Sequence, residues 1–208
     1  MGNELKHGSV GTELTQAEWE AVGTHVIDSQ AKGDIIYASS PSQLSRLGIG
    51  SDDDRLEVAT DVPAWVSPDK SARVYHSVAQ TTSDATRLAL AFDSERFDTD
   101  SIHDTSTNNS RLTCQTAGVY VITGTISYAA NATGIRNIEI RLNGSTFIAL
   151  AHIDAVSSGN MNMTTATVYQ LAVDDYVELT VRQTSGGALD VEAAGNRSAE
   201  FSMAKILG

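Results

Sequence analysis

The sequence predicts a mainly β protein: an antiparallel sandwich over about residues 72–208, preceded by a short helix and a small β-rich attachment segment. Three observations carry this. Apolar residues downstream of Val66 recur with period two and never with the helical period. Turn signals interrupt that alternation at close spacing, with no helical stretch between strands. Charged residues are only 19 %, against roughly 25 % in an average soluble domain, and Ser, Thr, Asn and Gly fill the difference.

The elements follow in order. Leu14 to Gly23, LTQAEWEAVG, carries a helix code. Thr15 is the cap, Glu18 completes a capping box, Leu14 and Trp19 form a hydrophobic staple, and Gly23 is the stop. One or two turns are not stable alone, so Trp19 and Val22 pack either on the rest of the chain or on a neighbour. Three strand-sized apolar bursts follow, Ile35 to Tyr37, Leu44 to Ile49 and Leu56 to Val58, separated by Gly, Asp, Ser and Pro. None makes a core alone. Ser67, Pro68 and Asp69 mark a linker over 67–71.

In Val119 to Tyr128 one face carries Tyr120, Ile122, Ile126 and Tyr128, and the other Val121, Thr123, Thr125 and Ser127. Asn137 to Leu142 alternates again, and Asn143-Gly144 is a strong hairpin signal before Ser145 to Ile153. Thr165 to Val173 and Tyr176 to Gln183 pair about Asp174-Asp175, with Val177, Leu179 and Val181 inward. Gly186-Gly187 turns into Ala188 to Glu192, and Glu200 to Leu207 is the last strand.

Two resemblances add to this reading. The stretch Ala91 to Tyr128 has an Ala-Phe-Asp start, a polar loop, a short strand reaching Cys114, then Ala-Gly-Val-Tyr opening a long strand. With Arg141-Leu142-Asn143-Gly144, Leu171 to Leu179 and Phe201 to Leu207, it resembles the C1q-like globular head, the jelly roll shared with the tumour necrosis factor superfamily. The resemblance covers most of 72–208 and implies a homotrimer about a threefold axis; the family's collagen-like stalk is missing. Upstream, Gly33 to Ala38, Leu44 to Leu47, Gly48 to Gly50, Leu56 to Val58 and Pro63 to Trp65 resemble a module of bacteriophage fibre and virion-appendage proteins. The expected organisation is a docking segment with its helix at 1–30, a phage-fibre-type β module at 31–66, a linker at 67–71 and the C1q-like head at 72–208.

Composition bounds the function. In 208 residues, 26 Asp and Glu against 14 Lys and Arg give a formal net charge of -12, which argues against binding nucleic acid, where cationic charge supplies most of the affinity. No run approaches the roughly 20 apolar residues of a membrane span, and no signal peptide is read at the N-terminus, so an extracellular destination is reached by a route such as cell lysis. The single cysteine, Cys114, excludes an intrachain disulfide and a thiolate cluster; it lacks a neighbouring cation to activate it and is read as a buried apolar residue.

Candidate chemistry is weak. Asp98, Asp100 and Asp104 suggest calcium, but Ile102 stands where a third ligand is needed and no Gly follows, so a solvated loop is the better reading. His103 beside Asp104 suggests a hydrolase triad, yet no Gly-x-Ser-x-Gly elbow exists. His7, His25, His76, His103 and His152 lack metal-ligand spacing. No catalytic residue, metal or cofactor is therefore expected. Tyr120, Tyr128, Tyr169 and Phe201 are candidates for a trimer seam, with burial inside one jelly roll as the alternative. Leu14, Trp19, Val22 and Trp65 are candidates for docking.

The expected function is that of a phage virion structural protein, a homotrimeric head fibre or capsid decoration protein at the virion surface, assembled in the bacterial cytoplasm. Its partners would be its own copies, capsid or other virion proteins through the N-terminal segment, and host surface glycans, with no nucleic acid and no membrane insertion. The alternatives are a tail fibre receptor-binding protein and a polysaccharide depolymerase; the absence of a paired-acid cleft pattern counts against the latter.

Overall fold

The computed structural model describes residues 31–41, 43–52, 54–67, 69–193 and 199–207, with Ser29 and Gly195. The predicted helix, and with it Leu14, Trp19 and Val22, lies outside the described residues. Contacts divide the chain into Met1–Pro68 and Asp69–Gly208. All described elements are strands, and every pairing is antiparallel.

The first unit holds two hairpins. β1 (Ile35–Ser40) pairs with β2 (Gln43–Leu47), and β3 (Arg55–Ala59) with β4 (Val62–Val66). Thr60 and Asp61, at φ 51° and 69°, form the two-residue turn between β3 and β4. Both lie in the left-handed region that lets a hairpin turn follow the strands' twist. The Trp65 indole donates to the Gly48 carbonyl at 2.7 Å, and a Cβ on Gly50 would sit 2.7 Å from its Cγ, so only glycine admits the ring there.

The second unit is the sandwich. Its first sheet runs β8 (Ser94–Asp98), β5 (Ser71–Tyr75), β16 (Glu200–Leu207), β10 (Gly118–Tyr128) and β13 (Met161–Leu171). At its far end β10 also meets β15 (Leu189–Val191), which pairs with β6 (Gln80–Thr82). The facing sheet runs β12 (Thr146–Asp154), β11 (Ile135–Leu142) and β14 (Tyr176–Gln183), with β7 (Arg87–Ala89) and β9 (Arg111–Thr113) side by side on the far edge of β14. β5 begins at Ser71, and the Asp69 carbonyl accepts from Thr99 Oγ1 at 2.9 Å, so residues assigned to the linker already belong to the head.

Alternation decides what the sheets bury. Tyr120, Ile122, Ile126 and Tyr128 of β10 face Ile138 and Ile140 of β11 and Val177, Leu179 and Val181 of β14, and all nine are fully buried. Phe92 stacks on Phe201 with ring centroids 5.9 Å apart. The sheets approach most tightly at Gly124, where a Cβ would lie 2.2 Å from Leu179 Cδ1. The Asn143-Gly144 turn forms as predicted, both residues at positive φ (50° and 69°), closed by Ser145 N–H to the Leu142 carbonyl at 3.1 Å. Asn143 then bridges to the next hairpin, accepting from Tyr176 N at 2.9 Å and donating to Asp175 Oδ1 at 2.8 Å. Asp175 is thus a structural latch between two turns rather than a merely solvated charge.

Candidate assembly surface

The functional question is which surface the head offers. The register of the first sheet places the side chains that point away from the core in rows across β13, β10, β16 and β5. One row is Val168, Val121, Ala204 and Ser71; the next is Ala166, Thr123, Ser202 and Arg73; the third is Thr164, Thr125, Glu200 and Tyr75. Thr123 Oγ1 and Ser202 Oγ share a hydrogen bond at 2.7 Å, so the middle of the face satisfies its own polar atoms. Val168 is 58 % exposed. Such a face, small and β-branched with no charge in its Val168 to Ala204 row, is one a second protein surface can approach without stripping water from ions.

Charge gathers only at the β5 and β8 end. Glu200, itself buried, receives Arg73 Nε at 2.7 Å and Arg96 Nη2 at 3.0 Å, and the Arg96 guanidinium lies 3.9 Å from the Tyr75 ring centre. The outward face of the opposite sheet differs: Glu139 binds Arg87 Nε at 3.0 Å and Thr180 Oγ1 at 3.2 Å, Arg87 and Arg141 flank Phe147, and Arg111 covers Tyr176. One face is an ionic lattice and the other is almost bare of charge.

The side of the sandwich where β12 and β13 come together is the second feature. Among the described residues β12 and β13 are edge strands, each paired on one side only, by β11 and β10. Phe147, Leu150 and Ile153 of β12 and Val168 and Tyr169 of β13 are exposed there. Long apolar edges with unpaired backbone groups invite association unless they are covered.

Of the four residues predicted for a seam, three are corrected. Tyr120, Tyr128 and Phe201 are completely buried within a single head and have no surface to give a neighbour. Burial pushes the phenols of Tyr120 and Tyr128 well above their ordinary range, and the Tyr120 hydroxyl donates to the Thr116 carbonyl at 2.6 Å. The gap between the sheets needs bulky side chains, so the aromatics went inward. Only Tyr169 stands at the surface, on the edge strand, 37 % exposed. The outward residues of β10 that line the face, Val121, Thr123 and Thr125, were legible as one side of an alternation but lacked the size that drew attention to the aromatics. Trp65 spends its polar atom inside the first unit, on Gly48.

The acidic loop does not converge. Asp98 accepts the amides of Asp100, Ile102 and His103; Asp100 takes Lys70 Nζ at 2.9 Å; Asp104 accepts the amides of Ser106 and Thr107 and the Ser106 hydroxyl. Those two amides, then the hydroxyl, hold the Asp104 carboxyl down at about 2. His103 is buried with Nδ1 2.9 Å from Glu95 Oε1 and Nε2 3.2 Å from the Asn109 carbonyl, so both ring nitrogens are occupied and Asp104 is not its partner. Cys114 is buried beside the Thr116 carbonyl, and desolvation raises its thiol pKa.

No known family profile matches the chain, and no curated protein does. Solved structures do match. The Eiger tumour necrosis factor of S. frugiperda aligns at TM-score 0.51 and 15 % identity, over 67 % of this chain and 93 % of that one. Murine APRIL aligns at TM-score 0.51 and 9 % identity, over 66 % and 99 %. The globular domain of the zebrafish complement 1qA protein aligns at TM-score 0.47 and 13 % identity, over 66 % and 97 %. At these identities the likeness is one of fold: the matches at TM-score 0.51 make the head a jelly roll of the kind seen in Eiger and APRIL.

Proposed function

We propose that this chain is a non-enzymatic bacteriophage virion protein, a homotrimer whose jelly-roll heads stand on the particle surface as a head fibre or capsid decoration and contact host glycans through their loops. The observation that carries the reading is the pair of unlike surfaces on one head: the nearly uncharged face of Val121, Val168, Ala166 and Ala204, and the apolar edge of Phe147, Leu150 and Ile153 on β12. Two different patches that fit one another make a heterologous contact, and a heterologous contact that closes makes a ring. The C1q-like resemblance of the sequence supports three as the number in that ring. The phage assignment is supported by the resemblance of Gly33 to Trp65 to virion-appendage modules.

Mechanism is then multivalency. Three heads on one base, repeated over a particle, raise the apparent affinity for a repeated surface glycan about 100-fold or more over a single weak contact. Loops on a rigid sandwich are the places to carry that contact; Ser157, Ser158 and Gly159, at a tip where a Cβ on Gly159 would meet nothing, are one exposed example.

Particles purified from the parent phage test this. The reading expects the chain in them, detected by mass spectrometry, and expects particles lacking it to be less stable and to adsorb more weakly. Sound particles that no longer adsorb would move it to a receptor-binding tail fibre. Particles that never contain the chain would sink the proposal.

A further inference from the structure

Among its described residues the first unit has strands but no buried core. No described residue from 31 to 67 is buried, whereas the buried apolar residues of the described chain all lie between Ala72 and Met203. Its register sorts the apolar side chains onto faces. Ile36 and Leu44 lie diagonally on one side of β1–β2; Leu56 opposite Trp65 and Val58 opposite Pro63 form one side of β3–β4. Val58 is 80 % exposed and Leu56 48 %. The charges of that hairpin's strands, Arg55 and Glu57, fall on the other side. A two-stranded hairpin alone is marginal in water, and so short a segment without a core does not hold itself together. These strands need burial that the described part of their own unit does not supply.

We infer that the face of Leu56, Val58 and Trp65 packs against the same hairpin of the other two copies, so that residues 31–66 fold as a three-chain base. This rests on the trimeric reading of the head. Residues 67–70 are all that separates β4 from β5, a span of at most about 18 Å, and β5 belongs to the sheet whose outward face is the proposed assembly surface. Three copies tethered that closely meet one another at an effective concentration of order millimolar. A weak apolar contact is then filled by sibling copies ahead of a dilute outside partner, and the uncharged face removes the like-charge repulsion that identical acidic chains otherwise feel. The base forms only when the heads are assembled, which makes formation of β1–β4 a consequence of trimerisation.

Hydrogen exchange of peptides covering 31–66, read with mass by sedimentation on the full chain, tests this. The samples are the parent, Leu56→Asp/Val58→Asp in the base and Val121→Glu in the head face. The inference expects a trimeric parent with β1–β4 exchanging about tenfold or more slower than in an unfolded chain. It expects Leu56→Asp/Val58→Asp to lose that protection at unchanged trimer mass, and Val121→Glu to lose protection and mass together. A trimeric parent with unprotected strands, or with protection that survives Leu56→Asp/Val58→Asp, overturns the three-chain base and leaves the trimeric head standing. A monomeric parent overturns the head reading, and the base with it.

Discussion

Replacing Gly124 with alanine tests how the two sheets meet. Gly124 is in mid-strand on β10 with ordinary strand backbone, so the substitution costs nothing in φ; the whole effect is steric. The new Cβ would lie 2.2 Å from Leu179 Cδ1, 2.9 Å from Cδ2 and 3.1 Å from Cγ. Leu179 is fully buried against Ile122, Ile140 and their neighbours and has little room to retreat. Overpacking of this kind costs about 1–3 kcal/mol, which for a head of this length lowers Tm by about 3–12 °C. Calorimetry reads it, at matched protein concentration because association makes Tm depend on concentration. The two positions should also couple: in a Leu179→Ala background the alanine at 124 should cost less by about 1 kcal/mol or more, since the clashing methyls are gone. A Gly124→Ala protein melting within about 1 °C of the parent, or showing no coupling to Leu179, would refute the close approach of the sheets at this point.

Three further outcomes are expected. Gly134→Ala should be worse than Gly124→Ala, because the Cβ would stand 1.7 Å from the Thr184 backbone oxygen at φ +74°; expression as aggregate, or a Tm loss exceeding that of Gly124→Ala, is the result to look for. Asp104 should titrate by carboxyl NMR with a midpoint near 2, not near the unperturbed 3.8. Its depressed value means the loop contribution is complete above about pH 4 and fades as pH falls towards 2, so Asp104→Asn should loosen Ser106 and Thr107 at neutral pH and abolish that dependence. Cys114 should resist a thiol reagent in the folded protein and react fully once denatured, since it is buried and its thiolate is disfavoured.

How far the sequence carried the account is best seen on β10. Its two faces were legible, because period-two alternation is a property of the strand itself. Which face is proposed for assembly was not. Size pointed to Tyr120 and Tyr128, but the space between two sheets has to be filled by large side chains, and the outward residues of β10 and β13 on the proposed face are Val, Thr and Ala, which read as ordinary surface. The hairpin at Asn143-Gly144 was plain because those residues favour positive φ; β4 was missed because Thr60 and Asp61 form the same kind of turn without glycine or asparagine to announce it. Asp98, Asp100 and Asp104 looked like one cluster because they are close in sequence, whereas each turns to a different set of backbone and side-chain donors. Pairing partners distant in the chain, such as β5 with β16, leave no local signal at all.

In the proposed assembly the face of β13, β10 and β16 joins one head to the next. The mass of the purified full chain by light scattering, with and without Val121→Glu, tests it most directly. The account predicts about 66 kDa, three times the 22.1 kDa chain, falling to the monomer mass when a carboxylate is placed in the Val168, Val121, Ala204 row. A parent chain that is already monomeric, or a trimer indifferent to the carboxylate, would contradict it.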